Sequence, residues 1–262
     1  ILLSQSGETA DSRQVLVKAN AMGIPSLTVT NVPGSTLSRE ATYTMLIHAG
    51  PEIAVASTKA YTAQIAALAF LAKAVGEANG KSEALDFDLV HELSLVAQSI
   101  EATLTEKDVV AEKVEALLAT TRNAFYIGRG NDYYVAMEAA LKLKEISYIQ
   151  CEGFAAGELK DGNISLIEEG TPVIGLISSS ELVASHTRGN IQEVAARGAH
   201  VLTVVEEGLD REGDDIIVNK VHPFLAPIAM VIPTQLIAYY ASLQRGLDVD
   251  KPRNLAKAVT VE

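Results

Sequence analysis

The chain has almost no cysteine and comparatively little positive charge. Cys151 is the single cysteine among 262 residues, which excludes an internal disulfide and is typical of a reducing compartment such as the cytoplasm. Lys and Arg number 21 against 33 Asp and Glu, a net charge of −12, so no basic patch is expected to bind nucleic acid. No motif surrounds Cys151, and we therefore predict that it is a buried apolar residue.

The sequence also lacks the usual signals for a membrane span, a metal site or a bound dinucleotide. The longest apolar stretch, residues 224–240, contains Pro227 and Pro233, which favours a loop followed by a core helix. No basic segment with an apolar run opens the chain, as a secretion signal would require. The histidines are scattered, and Gly128 to Gly130 is too short for a Gly-x-Gly-x-x-Gly fingerprint. A reaction without a cofactor or metal is therefore expected.

Short runs of β-branched residues alternate along the chain with helical patterns. The predicted strands are residues 26–30, 44–48, 124–127, 172–177 and 201–205. The predicted helices are residues 11–22, 89–104 and 109–120. Such alternation is typical of parallel sheets with crossover helices, so we predict an α/β fold.

An internal repeat divides the chain into two similar lobes. The order strand, serine, helix, glycine and strand occurs in residues 1–30 and again in residues 175–205. We therefore predict a first lobe at 1–82, a second lobe at 83–247 and a C-terminal tail at 248–262. The first lobe begins inside an apparent core strand, and we expect it to be truncated at its N-terminus.

The turn after the first strand has the composition of an anion site. Ser4, Ser6 and Thr9 surround Gly7 directly before a helical pattern. The N–H groups and positive dipole end of a helix N-terminus, together with small hydroxyls, can hold a phosphate without a lysine. The same residues could serve only to bend the chain and cap the helix, and the composition leaves both interpretations open.

Glu138, Lys142 and Glu145 share one face of a predicted helix, because they are spaced by four and three residues. A carboxylate beside a lysine fits sugar chemistry in which a carbon-bound proton is moved and a cation stabilises the enediolate. A ladder of surface salt bridges has the same spacing and remains an alternative.

Six segments together resemble one known family. They are SQSGET at 4–9, NVPGS at 31–35, AVASTK at 54–59, ALKLKEISY at 140–148, GELK at 157–160 and PRNLAK at 252–257. These segments are similar to the C-terminal isomerase region of the glutamine–fructose-6-phosphate aminotransferase family. The resemblance covers essentially the whole chain. It implies two flavodoxin-like sugar-isomerase (SIS) lobes, with parallel sheets flanked by helices, in a homodimeric cytoplasmic enzyme of amino-sugar biosynthesis.

The resemblance also implies a site for fructose 6-phosphate and glucosamine 6-phosphate. The implied substrate-binding residues are Ser4, Gln5, Ser6, Thr9, Val55, Ala56 and Ser57. Glu145 would be the base that moves a proton between C1 and C2, with Lys142 supporting the enediol(ate). Lys257, in a tail that covers the site, would form a Schiff base with the C2 carbonyl. Glu138 and Glu158 would support these catalytic groups.

Two departures from the family pattern put full activity in question. The family's glutaminase domain is absent from this sequence, so the chain is expected at most to isomerise sugar phosphate or to use free ammonia. Asp161 follows GELK where the family has a histidine, which is associated with ring opening and comes from the neighbouring subunit. A carboxyl group is ordinarily ionised at neutral pH and is a poor proton donor there. Two hypotheses remain: a sugar-phosphate isomerase domain, and a non-catalytic sugar-phosphate-binding module that acts as a sensor or regulator.

Overall fold

The computed structural model describes residues 1–257 and divides them into two units. The first unit consists of Ile1–Leu89 together with the described residues from Arg253 onward. The second unit is Val90–Pro252. Residues 258–262 of the predicted tail lie outside the described residues.

The first unit is built on a small parallel sheet with the strand order β1-β2-β3. Its strands are β1 (Leu2–Leu3), β2 (Leu27–Thr30) and β3 (Tyr43–Leu46). Its helices are α1 (Ala10–Ala21), α2 (Thr36–Glu40), α3 (Lys59–Ala78) and α4 (Ser82–Leu85). Leu2, Leu16 and Leu37 bring β1, α1 and α2 together in one buried cluster. This packing sets where the loop between β1 and α1 lies.

The second unit contains a five-stranded parallel sheet with helices packed against it. Its strands are β4 (Asn123–Gly128), β5 (Gln150–Ala155), β6 (Pro172–Ile177), β7 (His200–Glu206) and β8 (Ile216–Val218). Its helices are α5 (Leu89–Thr105, which begins at the boundary), α6 (Lys107–Leu118), α7 (Asn131–Ser147), α8 (Glu181–Ala195) and α9 (Ala226–Gln244). Every residue of β6 is buried, as expected for a parallel strand covered on both faces.

The strand order of the second unit is β5-β4-β6-β7-β8, with all neighbours parallel. Renumbered within the unit, this is 2-1-3-4-5, the flavodoxin-like order, so that part of the fold prediction is confirmed. The order reverses between β4 and β6. Ligands of such sheets bind at the carboxyl ends of the strands that flank this point.

The topology confirms the internal repeat. In the first unit, β1, α1, β2, β3 and α3 occur in the same order as β6, α8, β7, β8 and α9 in the second, except that the short helix α2 lies between β2 and β3. Within the described part of the first unit, β4, β5 and α7 have no counterpart. The two units therefore share a βαβ core, and residues at corresponding turns can be compared.

Most predicted elements agree with the structure to within a few residues, and the exceptions have local causes. The sequence pattern does not predict β5, which carries Gln150, Glu152 and Gly153, or β8, which has three residues. Residues 224–240 form a turn followed by a core helix, as predicted: Phe224 and Leu225 lie in the turn, and α9 begins at Ala226 and continues through Pro233. Helix α9 is long and apolar enough to span a membrane, but 67% of the relevant window is buried inside the protein.

Candidate functional site

The loop between β1 and α1 gathers hydroxyl groups at the start of a helix. Ser4 Oγ lies 2.7 Å from Thr9 Oγ1 and accepts the Gly7 N–H at 3.0 Å. Thr9 is the N-cap residue of α1, yet its side chain makes no hydrogen bond to the helix. The first-turn N–H groups of α1 are therefore not capped by Thr9 and can face a ligand. That residues 4–9 bind an anion remains a prediction.

A neighbouring segment, residues 30–37, holds this loop in place. The Asn31 N–H donates to the Gln5 carbonyl at 3.1 Å, and the Leu37 N–H donates to the Gly7 carbonyl at 3.0 Å. The Thr36 N–H donates to Glu8 Oε1 at 2.8 Å, and its hydrogen bonding lowers the pKa of Glu8. Glu8 thus braces the loop as an ionised carboxylate. Residues 31–35 contribute to the family resemblance, but their sequence does not predict this role.

Gly7 occupies a position where a larger residue would be strained and would collide with Ser35. Its φ is +67°, and a Cβ atom there would lie 2.0 Å from Ser35 Oγ. Ser35 is 3% exposed, and its hydroxyl has no hydrogen-bond partner among the described residues. The close approach of Ser35 behind Gly7 therefore helps to set the shape of the loop.

Lys257 is held in the first unit by a buried carboxylate that the sequence analysis did not identify. Its Nζ donates to Glu52 Oε2 at 3.2 Å and to the Ala54 carbonyl at 2.7 Å. The Ser57 hydroxyl donates to the same Glu52 oxygen at 3.1 Å. The structure thus brings predicted residues Lys257 and Ser57 together around Glu52, with the Val55 carbonyl 3.5 Å from Lys257 Nζ.

The Glu52 side chain is 3% exposed and remains ionised. Burial raises its pKa, but N–H donors from Thr58 and Ala60 and the ammonium of Lys257 outweigh that effect and lower it. The Thr58 N–H lies 2.8 Å from Glu52 Oε1. Nothing in one sequence distinguishes such an acidic loop residue from an exposed one. Its contacts with the backbone around Thr58 and with Lys257 reveal its importance.

In the second unit, α7 carries a buried cation between two carboxylates. Lys142 Nζ lies 2.6 Å from Glu145 Oε2 and 3.5 Å from Glu138 Oε1. The Lys142 side chain is 5% exposed, against 15% for Glu138 and 22% for Glu145. Burial raises the pKa of Glu138, although the ammonium of Lys142 opposes this shift. The alternative of a solvent-exposed ladder is therefore wrong for this cluster.

The remaining predicted site residues differ in exposure. Glu158 and Asp161 lie at the surface, whereas Ala56 is buried. Glu158 begins a 3₁₀ turn, Glu158–Lys160, and Asp161 follows it; both are exposed. The Asp161 N–H donates to the Glu158 carbonyl at 3.0 Å. Ala56 is buried in the loop between β3 and α3.

Cys151 is fully buried, as predicted. Burial raises the pKa of its thiol to about 12, so the nucleophilic thiolate is not formed at neutral pH. Among residues 1–257, no group of three or more His, Cys, Asp or Glu side chains is placed to hold a metal ion.

Comparison with known proteins gives consistent matches. The SIS domain family matches residues 1–74 and 117–245. The glutamine--fructose-6-phosphate aminotransferase [isomerizing] of Streptococcus pyogenes serotype M1 is 96% identical over 262 residues, which are all of this chain and 43% of that protein. The corresponding protein of Streptococcus mutans serotype c is 87% identical over the same shares. The chain thus spans less than half the length of these relatives.

Solved structures show the same similarity. The C-terminal domain of glucosamine-fructose-6-phosphate aminotransferase from Francisella tularensis aligns with a TM-score of 0.89 and 34% identity, over 95% of this chain and 71% of that one. Glucosamine-6-phosphate deaminase from Thermotoga maritima aligns with a TM-score of 0.78 at 22% identity, over 98% of this chain and 74% of that one. The second match shows the shared fold alone.

Proposed function

Because this chain belongs to the SIS domain family, and to the isomerase region of the glutamine–fructose-6-phosphate aminotransferases, we propose that it binds fructose 6-phosphate and isomerises it. The observation that carries the proposal is the contact of the buried Lys142 ammonium with the half-buried Glu145 carboxylate, 2.6 Å apart. Burying an ammonium is costly, and a protein that only binds sugar phosphate needs the phosphate loop but not this pair.

In this proposal the phosphate binds at the loop 4–9. The side chains of Ser4, Ser6 and Thr9 donate hydroxyl hydrogens, and the first turn of α1 donates N–H groups. The positive end of the helix dipole attracts the dianion, which the overall charge of −12 would otherwise repel. Gln5 and the segment of Val55, Ala56 and Ser57 contact the sugar.

The proton transfer is assigned to the α7 cluster. The Glu145 carboxylate takes a proton from C1 of the open-chain ketose, and the electrons of that C–H bond form an enediolate. The Lys142 ammonium orients Glu145 and offsets the negative charge that develops on oxygen. Transfer of the O1 proton to O2, together with return of the abstracted proton to C2, gives the aldose. Glu138 holds Lys142 from the other side, and we place Glu158 among the supporting groups.

Lys257 is proposed as the amine that attacks the C2 carbonyl of the ketose. Its Nζ donates hydrogen bonds to Glu52 and to the Ala54 carbonyl. Attack requires Nζ to lose a proton and leave these acceptors, and Glu52 is a carboxylate 3.2 Å away that can accept it. This attack forms a C2 imine and expels the carbonyl oxygen as water, and hydrolysis of the imine then frees Lys257 and restores the C2 carbonyl for the proton transfer at C1 and C2. The tail that carries Lys257 acts as a cover for the site.

The full reaction extends beyond this chain. We propose that in the whole protein a glutaminase domain supplies ammonia and that glucosamine 6-phosphate is the product. A homodimer in the cytoplasm is part of the same proposal. Asp161 replaces the ring-opening histidine, so ring opening is expected to limit this chain.

The decisive test compares Glu145→Gln with the unchanged chain in conversion of fructose 6-phosphate to glucose 6-phosphate. The amide keeps the side-chain shape but cannot accept the proton, so turnover should fall about 100-fold or more while sugar-phosphate affinity changes little. Glu115→Gln, on an exposed position of α6, is the matched control and should leave both unchanged.

The Asp161→His variant, measured beside the unchanged chain, separates the two hypotheses. Turnover in the variant alone would show that the catalytic groups work and that ring opening limits this chain. Turnover in both would show that Asp161 or spontaneous opening is sufficient. If neither turns over and fructose 6-phosphate still binds, the chain is a binding module.

A further inference from the structure

A second serine-rich turn lies at the carboxyl end of β6, and a buried carboxylate enters it. Asp132, in the first turn of α7, is 1% exposed. Its Oδ2 accepts the Ser178 N–H at 2.9 Å, and its Oδ1 accepts the Ser178 hydroxyl. Ser179 Oγ lies 3.5 Å from Oδ2. The mechanism proposed above has no use for this contact.

The internal repeat relates this turn to the loop 4–9. Ser4 follows β1 and precedes α1, and Ser178 follows β6 and precedes α8, at corresponding points of the two βαβ units. The loop of the first unit has six residues, 4–9, whereas the turn of the second has three, 178–180. The second turn is therefore tighter, and a side chain of the same unit uses its donors.

A second buried acidic side chain lies near the second turn. Glu206, at the end of the adjacent strand β7, is 5% exposed. Burial raises the pKa of Glu206 to about 7. The positive charge of Lys220 opposes this shift, and the negative charge of Asp132 adds to it. Arg129, which follows β4, donates to Asn190 Oδ1 at 2.8 Å. A phosphate dianion at this turn would lie near the acidic side chain of Glu206. The N–H and hydroxyl groups of Ser178 would also be unavailable to it, because they already donate to Asp132.

We propose that the carboxylate of Asp132 takes, in the second unit, the place that the substrate phosphate takes in the first. Asp132 is thus a specificity-determining residue that limits the chain to one sugar-phosphate site. This inference rests on the proposed function, because that function puts a phosphate in the loop 4–9.

The test counts inorganic phosphate bound per chain by equilibrium dialysis, in the unchanged chain and in Asp132→Ala. Truncation to Ala removes the internal anion and leaves the Ser178 donors unpaired in a vacated space. The variant should bind one phosphate more than the unchanged chain, and phosphate should raise its unfolding temperature by a larger amount. Glu115→Ala removes one negative charge from an exposed position of α6, away from the turn, and should gain no phosphate.

Asp132→Asn keeps the position filled by a group of the same shape and should bind no more phosphate than the unchanged chain. Equal counts for Asp132→Ala and the unchanged chain would overturn the proposal. A gain in Glu115→Ala or Asp132→Asn equal to that in Asp132→Ala would also overturn it. If Asp132→Ala is unfolded without anion, phosphate should restore its folding, and failure to do so at high phosphate counts against the proposal. The difference between variants tests Asp132, while absence of phosphate from the unchanged chain would contradict the first-unit site instead.

Discussion

At the scale of single residues, Gly7 is the position on which the loop 4–9 depends most directly. Its backbone is left-handed, and a Cβ atom added there would lie 2.0 Å from Ser35 Oγ, a shorter distance than at any other glycine. We expect Gly7→Ala to lower the free energy of unfolding by about 2–4 kcal/mol, from backbone strain and overpacking together. It should also weaken the binding of inorganic phosphate, measured by dialysis.

Gly23 offers a matched control for Gly7→Ala. It has the same φ of +67°, but nothing lies within 4 Å of its Cβ position. Gly23→Ala should therefore cost only the backbone strain, about 1–2 kcal/mol, and leave phosphate binding unchanged. Equal losses of stability in the two variants would show that the contact with Ser35 does not matter.

At the scale of elements, the packing of α7 against β4 positions both the Lys142 cluster and Asp132. A Cβ atom at Gly128, the last residue of β4, would lie 2.6 Å from the backbone carbon and oxygen of Asp132. Gly128→Ala must push the start of α7 away from the strand. We expect a loss of about 1–3 kcal/mol in the free energy of unfolding, measured by denaturant titration.

The comparison for Gly128→Ala is Gly189→Ala, inside α8. Nothing lies within 4 Å of the Cβ position of Gly189, and its backbone is helical. Alanine there should raise stability by about 0.5–1 kcal/mol, because glycine is the poorer helix former. A stabilised Gly128→Ala variant would contradict the close packing described for α7.

At the scale of the whole molecule, the pH dependence of stability should carry a contribution from Glu206. Its pKa is about 7 in the folded state against an ordinary value of 4.5. The folded chain therefore binds the proton more tightly, so this contribution to stability is complete below about pH 4.5 and is lost as the pH rises through 7. Glu206→Gln should remove this dependence.

The measurement is the difference in free energy of unfolding between Glu206→Gln and the unchanged chain from pH 4 to pH 8. As the pH rises, the free energy of unfolding of the variant should increase relative to that of the unchanged chain, by up to about 3 kcal/mol. Glu207→Gln, at the exposed neighbouring position, should follow the unchanged chain throughout. Parallel profiles for all three proteins would show that Glu206 is not a buried acid.

The sequence by itself determined the features that depend on neighbours along the chain. The apolar run of β6, the serine loop before α1 and the helical spacing of Glu138, Lys142 and Glu145 are all local patterns. Strand and helix periodicity express them directly. The repeat was also readable, because both halves keep the same order of elements. These local patterns were enough to predict the α/β class and the residues of two candidate clusters.

Only the tertiary structure decided which distant residues meet. Glu52 and Lys257 are separated by 205 positions, and Asp132 and Ser178 by 46, yet each pair is in hydrogen-bond contact. Such contacts depend on strand order and on how closely helices pack on the sheet. The missing side chain of Gly128, for example, allows the start of α7 to pack closely on β4. A single sequence does not encode these in any local pattern. The burial of Lys142 distinguishes its cluster from a ladder of surface salt bridges. This burial also arises from residues that the fold brings together.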